Sequence, residues 1–447
     1  MTKPLFSDFP EVSSKQWKQK IQVDLKGADY NDTLIWNTNE GIDVKPFYHA
    51  DDFEHFHNIT NASTTWKIGQ VIKVTDETEA NTKALDAIDR GVEAIRFISV
   101  NNQINIDALI KGIDTKAISV HIEAEETLIH TDIAETNVNN DIIGHLAKTG
   151  NWYHNLKDDH HNFEELVKKC NQITINSNLY QNSGATIVQQ LSYALAHANE
   201  YLNHLSSILS DKSKASLKVI FNVSVGTNYF FEIAKLRALR LLWKTLAGEY
   251  KFNTNCIIVA EPSKRNKTIY DYNTNMLRTT TECMSAVLGG ANEVFNLPYD
   301  VLYHNQNEFG DRISRNQLLV LKHESYFDKV SNPSDGAYYI ESLTDQLAHK
   351  ALDVFKAIEQ AGGFLKQLKD GVIQKKIKES AQKEQEQFNA NDIVLLGTNK
   401  HPNPNDKMKQ DLELHPFLEK KTRKTLIEPI IERRLSEAIE LERLKHE

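Results

Sequence analysis

The chain has 447 residues, 40% of them hydrophobic, and carries a formal net charge of −9 at pH 7. Its length accommodates one large barrel of roughly 250 residues with extensions, and its acidic balance argues against a nucleic-acid partner. Apolar runs stay short of the ~20 residues that cross a bilayer, and the first ten residues hold no signal-peptide core. We therefore expect a cytoplasmic protein whose scattered cysteines, Cys170, Cys256 and Cys283, are reduced.

The first predicted element is an amphipathic helix near the N-terminus. Trp17, Ile21 and Leu25 lie four residues apart and form one apolar face. A short helix outside a barrel must bury such a face. Two interpretations stay open: the helix packs against its own domain, or it belongs to an arm that lies on a partner subunit.

From residue 66 onward, strands rich in Ile and Val alternate with helices. Strands are predicted at 66–75, 93–100, 117–125, 172–178, 216–226, 255–262 and 293–298. Helices are predicted at 77–90, 106–112, 140–148, 185–209, 229–247, 276–288 and 307–325. An eighth strand is placed near 327–330. Alternation predicts a parallel sheet, and a repeat count near eight predicts closure into a TIM-type (β/α)8 barrel.

After residue 332 the pattern changes. Helices are predicted at 343–360 and 364–387, a polar loop at 397–406 and a charged helical stretch at 422–447. We therefore divide the chain into an N-terminal arm (1–48), a barrel (49–395) and a C-terminal loop with a helical tail (396–447).

Several segments point to a family. TNYFFEIAKLRALRLLW (227–243), NMLRTTTECMSAVLGGA (275–291), GDRISRNQLLVLKHES (310–325) and NPSDGAYYIESLT (332–344) resemble, in family order, the barrel domain of the methylmalonyl-CoA mutase family. EGIDVKPFY (40–48) is similar to the family's entry into the barrel. The resemblance implies a holoenzyme that uses adenosylcobalamin in a radical interconversion of (R)-methylmalonyl-CoA and succinyl-CoA. It also favours the partner-arm interpretation, because this family pairs its chains through N-terminal extensions.

The chain departs from the family where the chemistry belongs. Catalytic chains carry Gly-Tyr-His-Met-Gln-Glu-Ala-Gly-Ala after a barrel strand, and its His donates a hydrogen bond to the substrate carbonyl. Here Gln181, Gly184 and Ala185 match, but Leu179 stands at the His position. Residues 260–267 lack the family's Arg-x-His-x-Gln run, and 48–75 lacks its Tyr- and Trp-bearing runs. Since the sequence ends at Glu447, we also expect no cobalamin domain. The resemblance thus predicts no catalytic, cofactor-binding or metal-binding residue in this chain.

Two further groups of residues have competing interpretations. A set of ligand-type side chains lies in a stretch predicted to be a polar loop, 150–162, and forms either a metal site or a solvated surface: His154, Asp158, Asp159, His160 and His161. Arginines on the predicted helices form either structural pairs or a clamp for a CoA phosphate: Arg237, Arg240, Arg278, Arg312 and Arg315. Arg278 is expected to pair with Glu282 on an exposed helix face.

The sequence therefore predicts the small, non-catalytic subunit of a heteromeric methylmalonyl-CoA mutase. Its partner is a large catalytic subunit that holds adenosylcobalamin, and in isolation the chain is expected to form homodimers. The alternatives are a catalytic acyl-CoA mutase barrel that uses a separate cobalamin-binding subunit, and a binding or structural module without a mutase partner. A third is a barrel enzyme of unrelated chemistry that uses Glu123, Glu125 or Lys73.

Overall fold

The computed structural model describes residues 5, 7–54, 56–59, 64–99, 104–124, 136–418 and 423–447. Its centre is a nearly closed barrel of eight parallel strands in the order β6-β5-β4-β3-β10-β9-β8-β7, which confirms the predicted fold class. A small antiparallel hairpin precedes the barrel. The strands are β1 Trp36–Asn37, β2 Asp43–Val44, β3 Lys67–Val74, β4 Ala94–Ser99, β5 Ser119–Ala124, β6 Asn137–Val138, β7 Gln172–Asn176, β8 Lys218–Val225, β9 Ile257–Pro262 and β10 Glu293–Phe295.

The position predicted for the eighth strand is wrong. Residues 327–330 lie in turns, and the missing strand is β6, in the middle of the chain, where it pairs with β5. Two residues are too few to show a strand periodicity. Every later strand therefore moves by one place: β7, predicted as the fourth strand of the barrel, is its fifth, and β10 is its eighth.

Side-chain amides connect β6 to β7, where the sheet has no ladder. Gln172 Nε2 donates to the Val138 carbonyl (2.9 Å), and Asn140 Nδ2 donates to the Gln172 carbonyl (3.0 Å). Asn140 Oδ1 also accepts from the Thr174 backbone N–H (3.0 Å). These bonds pair buried backbone groups that a strand neighbour would otherwise pair.

Helices surround the barrel in chain order. They are α1 Ser14–Asp24, α2 Tyr30–Leu34, α3 Glu77–Asp89, α4 Ile106–Ile110, α5 Ile142–Thr149, α6 Leu156–Cys170, α7 Asn178–Asn182, α8 Ile187–Leu205, α9 Asp211–Ser216, α10 Tyr229–Glu249, α11 Thr274–Leu288, α12 Glu308–Leu319, α13 Tyr338–Gln360, α14 Phe364–Lys369, α15 Val372–Asn389 and α16 Glu437–Lys445. A π-helical turn, Val320–Glu324, extends α12. Within the described ranges, every helix is too short or too polar to span a bilayer. All the cysteines are free thiols.

The N-terminal region lies on the barrel's surface. Helix α1 buries none of its side chains, although Trp17 stacks on Phe47 with ring centres 4.6 Å apart. The hairpin that follows is anchored more firmly, because the Glu40 carboxylate accepts the backbone N–H groups of Ile187 and Val188, both at 2.8 Å. A carboxylate at the N-terminus of α8 is favoured by the helix dipole. The hairpin is therefore part of the barrel's outer layer, whereas on α1 Trp17 and Val23 are exposed and Ile21 is half-buried.

The C-terminal region differs from its prediction. The helix predicted at 364–387 is two helices, separated at Gly371, whose φ of +73° suits glycine. The stretch predicted to be helical at 422–447 contains only α16 within its described part. Residues 423–436, called here the C-terminal segment, contain no helix or strand. The segment bonds to other parts of the chain: the Arg433 N–H donates to the Asn182 carbonyl, and the Leu435 N–H donates to the Arg265 carbonyl. Pro429, which lacks a backbone donor, disfavours a helix there.

Candidate functional site

The carboxyl ends of the barrel strands are the expected site of chemistry in this fold. Strand β7 ends at Asn176, and α7 begins two residues later, so Leu179 follows the carboxyl end of a barrel strand. Its side chain is 4% exposed and packs in the main apolar core. A buried leucine offers neither a donor nor an acceptor. The Leu179 side chain therefore packs in the core and makes no hydrogen bond.

An ion pair crosses the barrel interior beside Asn178, the residue before Leu179. Arg96 on β4 donates through Nη1 to Glu261 Oε2 on β9 (2.9 Å), and these strands are separated in the sheet by β3 and β10. Asn178 Nδ2 donates to the other oxygen of Glu261 (2.9 Å). The Arg96 guanidinium lies 4.4 Å from the centre of the Phe295 ring, a cation–π distance. Burial raises the pKa of Glu261, but Arg96 and Asn178 outweigh burial and leave that pKa below its usual range.

A second pair fills the next layer of the interior. His121 Nε2 on β5 and Glu293 Oε2 on β10 are 2.6 Å apart. Burial raises the pKa of Glu293, but the contacts with His121 and Ser119 lower it by more than burial raises it. The net shift is therefore downward. The space left beside Thr174 and Asn222 is ≈10 Å³, which is about the room that one water needs. This gap is too small for an extended substrate.

A buried hydrogen-bonded chain lies beside Leu179. Asp141 Oδ1 accepts from the Tyr201 hydroxyl (2.6 Å) and lies 2.8 Å from His197 Nε2. The Tyr180 hydroxyl lies 2.9 Å from the other ring nitrogen of His197. Burial raises the pKa of Asp141, but His197 and Tyr201 reverse that effect and lower the pKa overall. Burial also raises the pKa of both phenols well above the usual value. Sequence reasoning missed this chain, because its members come from three separate elements.

Gln181, which matches the family pattern, belongs to another buried network. Its side chain donates to Glu232 Oε1 (3.2 Å) and accepts from Lys235 Nζ (3.0 Å). Lys235 also ion-pairs with Glu232 and donates to the Ser224 carbonyl. Burial lowers the pKa of Lys235, partly offset by Glu232. The Gln181 amide thus connects α7 to α10, where it bonds both members of the Lys235–Glu232 ion pair.

The metal-site interpretation of residues 154–161 has no support in the geometry. The polar-loop prediction fails over its second half, because residues 156–162 lie in α6. Asp159 is buried and accepts the backbone N–H groups of Tyr153 (2.8 Å) and His154 (3.0 Å), so it fixes the entry into that helix. Within the described part of the chain, no three His, Cys, Asp or Glu side chains are placed to hold a metal ion.

The arginines on α10 have internal partners. Arg237 ion-pairs with Glu341 on α13 (2.7 Å) and with Asp335. Arg240 donates to the Gly290 carbonyl and to Asn292 Oδ1, both at 2.6 Å. These contacts hold neighbouring elements together.

The predicted exposed pair of Arg278 and Glu282 is wrong. Glu282 is 1% exposed and pairs with Lys267 (2.7 Å), whose side chain the loop after β9 carries inward. Arg278 instead donates to the Leu396 carbonyl (2.7 Å). Helical spacing places two side chains on one face of a helix. It does not determine whether each of them pairs with the other or with a residue from another element.

The remaining candidates are scattered. Arg315 donates to Gln70 Oε1 (2.9 Å), and the Arg312 guanidinium lies 5.5 Å from the Phe309 ring centre. Lys73 is exposed, Glu123 is half-buried beside the ≈10 Å³ gap, and Glu125 lies outside the described residues. The described candidates do not converge on one site.

Comparison with known proteins assigns the family. A family model described as methylmalonyl-CoA mutase matches residues 98–444. The chain is 34% identical over 441 residues to the methylmalonyl-CoA mutase small subunit of Porphyromonas gingivalis, covering 89% of this chain and 71% of that one. It is 30% identical over 244 residues to the large subunit from the same organism, covering 54% of this chain and 34% of that one. A methylmalonyl-CoA mutase of Rhizobium meliloti is 26% identical, and the match covers 88% of this chain but only 64% of that enzyme. On the first two of these findings, the chain belongs to the methylmalonyl-CoA mutase family.

Proposed function

We propose that this chain is the non-catalytic small subunit of a heteromeric methylmalonyl-CoA mutase. Its role is to bind and stabilise a large subunit that interconverts (R)-methylmalonyl-CoA and succinyl-CoA. The similarity to the Porphyromonas gingivalis small subunit supports this proposal, as does the existence of a separately named large subunit in that organism. The division into an arm (1–48), a barrel (49–395) and a C-terminal part (396–447) remains part of the same proposal.

The observation that carries the proposal is the filled interior of the barrel. Leu179 replaces the hydrogen-bond donor that the family uses on the substrate carbonyl, and the Arg96–Glu261 pair, which the neighbouring Asn178 contacts, occupies the interior. A charged pair with satisfied hydrogen bonds resists displacement, because separating it would leave two buried charges. Such a site favours structural support over substrate binding.

The residues at this face do not fit adenosylcobalamin, the cofactor that the family implies. The family's His at the Leu179 position lies against the cofactor, whereas this side chain is apolar and packed. The C-terminal segment also covers the loops after β7 and β9, where Arg433 and Leu435 make their backbone bonds. We therefore propose that the large subunit alone binds the cofactor.

The N-terminal arm is the surface proposed for the partner. Large apolar side chains on and around α1 are exposed, including Phe9, Trp17, Val23 and Trp36. Such side chains clustered in one short region mark an interaction site more often than isolated ones do. An isolated chain with this surface free would associate with itself.

The test is mutase turnover with adenosylcobalamin in three samples: this chain, the large chain, and their mixture. Activity that requires the large chain and survives longer in the mixture is the expected result. Turnover by this chain, alone or with a separate cobalamin-binding subunit, would instead favour a catalytic barrel. The arm is tested by light scattering of the mixture: Trp17→Ser together with Val23→Ser should weaken the heteromer. Leu277→Ser, which changes an exposed leucine on α11, is the matched control.

A further inference from the structure

Aromatic side chains gather on the outside of the barrel, where α10 and α13 begin beside the chain that leads from the hairpin to β3. These six side chains are called here the aromatic surface: Tyr48, Phe53, Phe56, Phe230, Tyr338 and Tyr339. Phe56, Phe230 and Tyr338 are 47%, 48% and 37% exposed. Exposed apolar side chains that occur singly are normal, but a contiguous group of them marks an interaction site.

The rings of the aromatic surface hold one another in place. The ring centre of Phe53 lies 5.3 Å from that of Phe56 and 5.6 Å from that of Tyr338. The next residue, Tyr339, has its ring centre 5.4 Å from that of Phe230. Side chains that are already ordered lose little conformational entropy when a partner covers them. Aromatic residues are also enriched at the buried centres of protein interfaces, where they carry much of the binding energy.

The aromatic surface is continuous with the N-terminal arm. The rings of Tyr48 and Tyr339 have centres 5.4 Å apart. The residue before Tyr48 is Phe47, which stacks on Trp17 of α1 with ring centres 4.6 Å apart. The exposed side chains of α1 and the aromatic surface therefore belong to one face of the molecule.

The edge of this face is acidic. Residues 45–57, which carry half of the aromatic surface, contain one lysine and three carboxylates: Lys45, Asp51, Asp52 and Glu54. Lys45 pairs with Asp52 (3.3 Å). Asp345 on α13, 2.9 Å from His57, adds a fourth carboxylate. These four carboxylates are called here the acidic rim.

The acidic rim distinguishes between possible partners. Two-fold pairing brings the same patch of two subunits together, so a second copy of this chain would place acidic rim against acidic rim. Like charges that face each other across an interface are costly. A related chain that carries cations at its own rim avoids this cost.

We propose that the aromatic surface is the centre of the interface with the large subunit, which covers it with apolar side chains and meets the acidic rim with lysine or arginine. This inference rests on the proposed function and extends the partner's surface from the arm to the barrel. The large subunit of Porphyromonas gingivalis is itself related to this chain, and two related chains can pair through equivalent faces. Self-association of the isolated chain uses the same surface but is weaker than the heteromer.

Binding kinetics of the full chain with the large chain, measured by biolayer interferometry, test the proposal. Phe56→Ser combined with Phe230→Ser should raise Kd about tenfold or more, because a few central aromatic side chains carry most of the binding energy of an interface. The change should be mainly a faster dissociation. Phe309→Ser, which changes a phenylalanine of similar exposure (46%) on α12, is the matched control and should leave Kd unchanged.

Charge supplies a second readout. Glu54→Lys should slow association with the large chain and make the association rate less dependent on salt, because charges at the edge of an interface act mainly on that rate. Glu308→Lys reverses an exposed carboxylate on α12 and should change neither quantity. Circular dichroism confirms that each variant is folded.

The outcomes separate this inference from the proposed function. A heteromer that forms with the same Kd in the double variant would overturn the inference and leave the proposed function standing. Faster association of Glu54→Lys, or an unchanged rate, would overturn the cationic partner. Light scattering that shows weaker self-association with an unchanged heteromer would assign the aromatic surface to a homodimer instead. If the unmodified chain does not bind the large chain, the proposed function and this inference both fail.

Discussion

The pair that crosses the barrel offers the sharpest test of the filled interior. Arg96→Met keeps the length of the side chain but removes its charge, so that Glu261 retains only Asn178 as a partner. Removing one member of a buried ion pair costs about 3–5 kcal/mol, because the remaining charge is left uncompensated. We expect the free energy of unfolding in urea at pH 7.5, followed by circular dichroism, to fall by this amount.

The pH dependence identifies the cause. In the unmodified chain the pKa of Glu261 is lowered by folding, so its contribution to stability is present above the unfolded pKa and lost as pH falls through the folded pKa. In Arg96→Met, burial loses its main opposing cation, while Asn178 and Lys264 remain. We expect the folded pKa to rise above the unfolded value of ~4.3. The penalty is then greatest at neutral pH and is relieved as the carboxyl group protonates. The loss of stability should therefore be smaller at pH 5 than at pH 7.5.

Two further variants complete the test. Arg96→Met combined with Glu261→Met should recover most of the lost stability, because an apolar pair of similar volume often replaces a buried ion pair at little cost. Arg90→Met removes an exposed ion pair with Asp86 (2.9 Å), and it should cost less than about 1 kcal/mol. A loss in Arg96→Met as small as this control, or one that is equal at both pH values, would refute the reasoning.

Three other predictions follow from buried positions. Leu179→Ala should lower the free energy of unfolding by about 2–5 kcal/mol but leave kcat of the assembled heteromer unchanged. A tenfold fall in kcat with an intact heteromer, which corresponds to ~1.4 kcal/mol of activation free energy, would contradict the non-catalytic proposal. Gly69→Ala should lower the free energy of unfolding by about 1–3 kcal/mol, since its Cβ would lie 2.6 Å from the Phe295 ring. Gly248→Ala, in open space on α10, should instead stabilise the chain by up to about 1 kcal/mol. Equal shifts of Tm in the two variants would refute this contrast. Asp141→Asn should lower the free energy of unfolding by about 1–3 kcal/mol at pH 7. Because the folded pKa of this aspartate is lowered, the difference in stability between the variant and the unmodified chain should become smaller as pH falls below ~4. A difference in urea midpoints that grows with acid would contradict the lowered pKa.

Local patterns were enough to predict the fold class. Long runs of β-branched residues, such as those in β3 and β8, alternate with amphipathic helices, and that alternation predicts a parallel barrel. They could not show β6, since two residues have no period of their own. That strand exists because it pairs with β5 on one side. On the other side Gln172 of β7 donates to the Val138 carbonyl, and Asn140, which follows β6, donates to the Gln172 carbonyl.

The helical prediction for the C-terminal segment failed for a related reason. Its apolar residues have a spacing that suits a helix, but Ile427 and Ile430 donate their backbone N–H groups to Gly150 and Ala147. Partners outside the segment satisfy those donors, so helix formation offers no advantage there.

The sequence by itself determined the family and placed an apolar side chain, Leu179, where the family has a hydrogen-bond donor. Only the tertiary structure decided what fills the barrel interior. Arg96 and Glu261 are 165 positions apart in the chain, and neither residue type predicts the other. They meet because closure of the barrel turns alternate residues of β4 and β9 toward one interior, where a buried charge requires an opposite charge beside it.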